Sequence, residues 1–134
     1  MRSFLQQIFR YKRGASVGDT LEDGSIVLQK SDGLLLVISP EHTETKSAWS
    51  FEFPNLLKKL EEAGFNSSEW FIPTLEQLQF AYDTLPKAFP SVYYWSSTED
   101  SSGAAWCKNF AVGTEIKGNK KLPHCVRAFR RIAL

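Results

Sequence analysis

Two aromatic-rich segments separated by a polar break constrain this chain more than any other feature. The stretch from Tyr93 to Phe110 holds Trp95 and Trp106, two of the four tryptophans. Burying one large ring removes roughly 150–250 Å² from water, so rings at this density are costly to leave exposed. The pattern predicts two central strands of a small sheet with both tryptophans in the core, joined by a loop over residues 96–103.

Length and composition are typical of one soluble domain. The chain has 134 residues, of which 43% are apolar and 23% charged, enough to bury a sizeable core. No run of about eighteen apolar residues occurs, so we expect no membrane span. Gln6, Gln7 and Arg10 interrupt the first apolar run, which therefore lacks the core of a secretory signal. We expect a chain that is cytoplasmic as synthesised, that belongs to a virion or cell-surface assembly, or from which a signal was removed.

Charge is distributed unevenly along the sequence. Residues 1–18, 19–107 and 108–134 carry net charges of +4, −9 and +6, although the whole chain carries only +1. Such asymmetry indicates either faces that attract each other within the fold or a basic surface that meets an anion or a second subunit.

The N-terminus carries a short apolar stripe. Its members are spaced as on one side of a helix, and they are Phe4, Leu5, Ile8 and Phe9. A helix this short needs a surface to pack on, which could be its own domain, a partner subunit or a membrane. Gly14 to Gly18 resembles a hinge, so we divide the chain into a docking or tether segment, 1–16, and a folded domain, 17–134.

The rest of the chain alternates between strand and helix signals. The predicted strands are Ser25–Gln29, Leu34–Ser39, Trp70–Ile72, Thr114–Lys117 and Cys125–Ile132, with turns at Gly113 and at Gly118-Asn119. Pro54 opens a first helix that ends before Gly64. Thr74 and Gln77 form the capping-box signature of a second helix.

Several of these segments together resemble a known family. They are Trp70-Phe-Ile-Pro-Thr-Leu-Glu-Gln-Leu78, Tyr94-Trp-Ser-Ser-Thr-Glu99 and Val126-Arg-Ala-Phe-Arg130. Over about Val17 to Arg131 the chain resembles the C-terminal domain of the Legionella collagen-like adhesin, which represents a family of bacterial and phage proteins. The resemblance implies an α+β, C-type-lectin-like fold in which two helices pack on a small twisted antiparallel sheet with long loops.

The resemblance also implies binding rather than catalysis, often as a trimer at the end of an adhesin. Because this sequence has a short N-terminal segment and no collagen-like stalk, a subunit of a larger assembly, such as a phage tail tip, is an alternative to long-range adhesion. Within the motif, we expect the hydroxyls of Ser96, Ser97 and Thr98 to satisfy backbone groups. We expect Glu99 to form a structural ion pair with Arg127 or Arg130.

Catalytic and metal-binding patterns are weak. The lectin signatures Glu-Pro-Asn and Trp-Asn-Asp are absent, so we predict no calcium site, no other metal and no cofactor. Cys107 and Cys125 are predicted to be free thiols, with a disulfide between them left open. His124 is adjacent to Cys125, and neighbours on a strand point to opposite faces. We therefore do not predict an enzyme.

The sequence thus predicts a non-catalytic recognition module that binds a surface glycan or a protein receptor. The predicted ligand contacts are Lys108, Asn109, Thr114, Lys117, Asn119 and Lys121. Lysines would supply charge complementarity and asparagines adaptable hydrogen bonds. The expected partners are that ligand and further copies of the chain, with a trimer among the options, whereas nucleic acid is not favoured. The alternative is a structural subunit of a virion or another assembly, docked through Phe4, Leu5, Ile8 and Phe9.

Overall fold

The computed structural model describes residues 14–134, so the predicted stripe of Phe4, Leu5, Ile8 and Phe9 lies outside the described residues. Within the described part, two helices and two sheets confirm the α+β class. The helices are α1, Pro54–Glu62, and α2, Leu75–Thr84. The strands are β1, Ile26–Ser31; β2, Leu34–Ile38; β3, Thr45–Ser47; β4, Tyr93–Ser101; β5, Ala104–Asn109; β6, Glu115–Asn119; β7, His124–Val126; and β8, Phe129–Ala133.

The strands form a three-stranded sheet, β1-β2-β8, and a five-stranded sheet, β3-β7-β4-β5-β6. Neighbouring strands are antiparallel except β4 and β7, which meet in a parallel pairing of Tyr94 with Cys125. The predicted single strand Cys125–Ile132 is therefore wrong, because the chain leaves one sheet at Val126 and enters the other at Phe129. All four residues from Val126 to Phe129 are buried at this crossing, which removes the alternation that a continuous half-exposed strand would show.

Both helices begin where the sequence predicts, and α1 ends before Gly64 as expected. Pro54 is the first residue of α1, and Gly64 follows the helix with φ of 91°, a conformation that favours glycine. In the capping box of α2, the Gln77 backbone N–H donates to the Thr74 hydroxyl at 3.2 Å. The Gln77 side chain in turn accepts from the Thr74 backbone N–H at 2.8 Å.

The two central tryptophans lie on opposite faces of the five-stranded sheet. Trp95 is completely buried and donates its indole N–H to the carbonyl of Ser47 at 2.8 Å. The register pairs Trp95 with Cys107, which turns Trp106 to the other face, where it is only partly buried. The core prediction is confirmed for Trp95 and wrong for Trp106.

The predicted loop over residues 96–103 is mostly strand, because β4 continues to Ser101. The prediction is confirmed for Ser96 and Thr98, whose hydroxyls bond the backbone where the β4–β5 register shifts, whereas Ser97 is exposed. Ser96 Oγ donates to the carbonyl of Trp106 at 2.7 Å and accepts from the N–H of Thr98 at 3.1 Å. The Thr98 hydroxyl accepts from the N–H of Leu75 at 3.0 Å. This contact joins β4 to the first turn of α2.

Two other local predictions are wrong for reasons of packing. Gly118 lies within β6 and not in a turn, and a Cβ atom at this position would lie 2.8 Å from the Trp95 ring. The glycine therefore allows the strand to approach that ring. The predicted strand Trp70–Ile72 is reduced to one bridge, in which Phe71 pairs with Phe129.

Candidate functional site

The exposed side of the β5–β6 hairpin brings an aromatic ring and a cation together. Trp106 and Lys117 are register partners, and the ammonium of Lys117 lies 5.5 Å from the centroid of the indole. Asp100 on β4 lies 3.5 Å from the same ammonium. Asn119 lies two residues after Lys117 on β6 and therefore on the same side of the strand. Lys121, two residues further on, is also exposed. We call these five residues the hairpin face.

The polar groups of the hairpin face are open to solvent. The Lys117 side chain is 57% exposed, and an ion pair at such a site contributes only about 0–1 kcal/mol to stability. The Asn119 side-chain oxygen accepts from the N–H of Lys121 at 3.0 Å, which orders the turn and leaves the amide nitrogen to donate outward. The exposed ion pair therefore contributes little to folding, and the face offers accessible charge, hydrogen-bond donors and an aromatic surface.

The predicted contact residues do not all meet on this face. Lys117, Asn119 and Lys121 lie together, but Asn109 and Thr114 lie at the other end of the hairpin. There the Asn109 side chain accepts from the N–H of Ala111 at 2.7 Å. Thr114 and Asn119 are five positions apart, which corresponds to about 16 Å along a strand.

Lys108 is a structural residue and not the exposed contact that the sequence predicted. Its side chain is fully buried beneath α2, where the ammonium donates to the side-chain oxygen of Gln79 and to the carbonyl of Gly113 at 2.7 Å. Glu115 lies 3.5 Å away, and the Tyr82 ring centroid lies at 5.3 Å. With these partners the cation is compensated inside the domain.

Glu99 does form an ion pair, but with a different partner from those predicted. Its carboxylate lies 2.6 Å from the ammonium of Lys120, while Arg130 pairs with Glu69 at 2.6 Å. Lys120 also lies 4.4 Å from the Trp49 ring centroid. Lys120 has a structural role, since only 14% of its side chain is exposed.

Arg127 lies at the crossing between the two sheets, where burial lowers the pKa of its guanidinium. Its Nε donates to the carbonyl of Ser39 at 2.8 Å, and its Nη1 donates to the carbonyl of Ala88. Nearby, the hydroxyl of Tyr94 donates to the carboxylate of Glu44. Burial raises the pKa of both groups. We interpret this buried cluster as a structural link between the sheets.

The thiols lack the features of nucleophiles. Both cysteines are free, as predicted. Burial raises the pKa of Cys107 to about 12, and burial together with the charge of Glu44 raises that of Cys125. A thiol with a raised pKa stays protonated at neutral pH and reacts slowly. His124 packs its ring 4.9 Å from that of Trp95. Among residues 14–134, no group of three or more His, Cys, Asp or Glu side chains could hold a metal ion.

A second surface feature, which the sequence did not predict, is an apolar groove beside α1. We call it the α1 groove; its lining includes Phe51, Leu57, Trp70, Phe71 and Ile72. Its volume is about 400 Å³, within the range of ligand-binding clefts. Phe51 is 78% exposed at its edge, although Phe53 two residues later is buried. No sequence signal separated the two, because residues two apart on an extended segment share a side, and it is the left-handed backbone of Phe53, with φ of 44°, that breaks this pattern.

Comparison with known proteins assigns no family to this chain. No family model matches it, and no curated protein matches it. Within residues 14–134, no helix is both long and apolar enough to cross a membrane. The hairpin face and the α1 groove are the two surface features of the described residues that bear on function.

Proposed function

We propose that this protein is a non-catalytic recognition module that binds a negatively charged surface glycan or protein receptor through the hairpin face. The observation that carries the proposal is the register pairing of partly exposed Trp106 with exposed Lys117. An indole offers apolar contact area at low entropic cost, and the adjacent cation and amide provide orientation. Complementary charge also speeds the encounter with an anionic partner.

The proposal includes a C-type-lectin-like fold and membership of the family represented by the Legionella collagen-like adhesin C-terminal domain. Two helices packed on strands that are almost all antiparallel support it. The motif residues Tyr94, Trp95, Ser96 and Arg127 are buried, so they serve the architecture. Binding would then be performed by surface residues around the motif, which can vary without disturbing the interior.

The test is a glycan-array and receptor-binding screen with the wild-type chain, followed by affinity measurement on the variant Lys117→Glu/Lys121→Glu. We expect the double charge reversal to weaken binding at least about tenfold, which is about 1.4 kcal/mol. Binding should also weaken as salt is added. Lys58→Glu changes an exposed lysine on α1 and serves as the matched control.

Two results would contradict the proposal. The first is an affinity that the double variant retains in full, because this would place the ligand elsewhere. The second is the absence of any anionic ligand in the screen. Circular dichroism of each variant shows whether the domain remains folded, so that lost binding is not confused with lost structure.

A second candidate function is a structural subunit of a virion or another multiprotein assembly. The observation that favours it is the α1 groove, where Phe51 is the most exposed large apolar residue among those described. Exposed apolar surface beside a concave site is typical of an interface. The two functions use different surfaces, so one protein can have both.

A further inference from the structure

Strand β6 lies at one edge of the five-stranded sheet, where β5 is its only neighbour among the described strands. Two backbone hydrogen bonds frame this pairing. The N–H of Asn109 donates to the carbonyl of Thr114 at 2.8 Å, and the N–H of Lys120 donates to the carbonyl of Gly103 at 3.0 Å. Because bonded and non-bonded pairs alternate along an antiparallel ladder, every second residue of β6, counted from Thr114, bonds to β5.

The residues between them direct their backbone groups to the open edge. Glu115 and Lys117 are register partners of Lys108 and Trp106, and they occupy the non-bonded positions of the ladder. Their N–H and C=O groups therefore point away from β5, where no other described residue bonds to them. A row of such groups can form hydrogen bonds with a further strand.

The sequence of this edge is complementary to itself when two copies run antiparallel. With Ile116 opposite Ile116 of the partner subunit, Glu115 lies opposite Lys117 of the partner subunit. Lys117 then lies opposite the partner's Glu115. Both Glu–Lys pairs fall at positions whose backbone groups point outward, so each pair also exchanges two hydrogen bonds. Opposite charges at directly facing positions stabilise an antiparallel pair.

The other registers are less favourable. Centring the pairing on Glu115 or on Lys117 places a charge opposite itself, which is destabilising. Centring it on Gly118 requires an extended chain beyond Asn119, but the chain turns there, since the N–H of Leu122 donates to the carbonyl of Asn119 at 3.0 Å. The register centred on Ile116 is therefore the one that agrees with both the charges and the backbone bonding.

The charges that already flank the edge agree with this register. Within one chain, Glu115 lies 3.5 Å from Lys108, and Lys117 lies 3.5 Å from Asp100. Joining two copies extends these pairs into two rows of alternating sign, in which Asp100 and Lys117 of one chain are followed by a glutamate and a lysine of the other. Each new contact between the paired residues is thus between opposite charges.

We propose that β6 pairs antiparallel with β6 of a second copy of this chain over residues 114–118. The same residues of each copy form the contact, so the interface is twofold-symmetric and closes a dimer. The two five-stranded sheets become one continuous sheet, and both hairpin faces lie on the same side of it. A dimer therefore presents two binding faces to one multivalent surface. This last consequence rests on the proposed function, whereas the pairing itself does not.

The first test is the mass of the full-length chain in solution, measured by light scattering over a dilution series. We expect a species of twice the 15.2 kDa chain mass that dissociates on dilution. Glu115→Lys and Lys117→Glu each place like charges opposite each other twice, so each should raise the dissociation constant at least about tenfold. Lys58→Glu makes the same charge change on α1 and should leave the constant unchanged.

Two results of this test overturn the proposal. One is a single-chain mass for the wild type at every concentration. The other is a dimer whose dissociation constant neither charge reversal at β6 changes.

Mixing the two charge-reversed variants separates lost pairing from lost structure. In a dimer of one Glu115→Lys chain and one Lys117→Glu chain, the facing positions again carry opposite charges. The mixture should therefore form a dimer at concentrations where each variant alone is a single chain. A mixture that remains single-chain while circular dichroism shows both variants folded is evidence against the pairing.

A cross-linking experiment tests the register and does not require charge reversal. Facing residues of a bonded pair have Cα atoms about 5.5 Å apart, which suits a disulfide. A tagged Glu115→Cys chain mixed with an untagged Lys117→Cys chain should give a mixed disulfide on mild oxidation, whereas neither variant alone should cross-link to itself. The wild-type chain controls for Cys107 and Cys125. A mixture without the mixed disulfide, or a Lys117→Cys chain that cross-links to itself, contradicts the proposed pairing.

The two proposals fail in different ways. A dimer that persists without any anionic ligand contradicts the hairpin face alone. Ligand binding by a chain that stays single at every concentration contradicts the β6 pairing alone.

Discussion

Lys108 and Lys117 belong to the same β5–β6 hairpin and have similar neighbours but opposite environments. Each ammonium lies above an aromatic ring and 3.5 Å from a carboxylate. Lys108 is covered by α2 and completely buried, whereas the Lys117 side chain is 57% exposed. Because the two lysines make the same types of interaction, their different roles follow from their different exposure to solvent.

Inside the domain, removing a cation leaves its acceptors without partners, and each such group costs about 1–3 kcal/mol. At the surface, water replaces a lost partner, and exposed pairs contribute about 0–1 kcal/mol. One end of the hairpin therefore stabilises the fold, whereas the open part stays accessible to a partner.

The largest effect is expected for Lys108→Ala. It should lower the free energy of unfolding by about 3 kcal/mol, because the carbonyl of Gly113 and the side chain of Gln79 lose their donor and a cavity forms. Lys117→Ala should change stability by less than about 0.5 kcal/mol. Urea denaturation of both variants measures the difference, and equal values would remove the distinction between the two lysines.

Gly118→Ala tests the inner side of the same hairpin. The added methyl would lie 2.8 Å from the Trp95 ring and 2.9 Å from the Cys107 sulfur. Such overpacking should cost about 2 kcal/mol. Gly103→Ala is the control, because its Cβ would meet nothing within 4 Å. Thermal and urea denaturation should separate the two, and a stable Gly118→Ala protein would show that the ring can move aside.

The smallest effect concerns His124, which packs against Trp95. Burial, assisted by the charge of Lys46, lowers the pKa of this histidine below 6.5 in the folded protein. The unfolded chain therefore binds the proton first as the pH falls. The stability that His124 contributes is complete above pH 6.5 and is lost as the pH falls through the lowered pKa.

Replacing His124 with Asn should remove this part of the pH dependence. Urea denaturation of wild type and variant between neutral and mildly acidic pH gives the slope of the free energy of unfolding against pH for each protein. Subtracting one slope from the other also removes the contribution of Glu44, which has the opposite sign and is present in both. Lys46→Ala should reduce the slope without abolishing it. A variant with the wild-type slope would show that another group is responsible.

Signals carried by neighbouring residues predicted structure well. The Thr74–Gln77 capping box and the Pro54 start of α1 occur where the sequence places them, because their hydrogen bonds and dihedral angles are local. The crossing at Arg127 was missed, since residues 125–132 have the composition of one strand. Only the pairing of β7 with β3 and of β8 with β2 divides them.

The candidate sites show the same limit. Lysines and asparagines near the C-terminus predicted a polar surface, and Lys117, Asn119 and Lys121 do form one. The sequence could not show that α2 covers Lys108, because that contact joins residues 29 positions apart. The α1 groove was also missed, since its walls come from segments separated along the chain.

By itself, the sequence determined where both helices begin, the glycine after α1 and the burial of Trp95 in the Tyr93–Phe110 stretch. Tertiary structure alone decided which tryptophan is buried and which lysine faces water. The physical reason is that a strand has two faces, and only its register and the elements packed against it decide which face is buried.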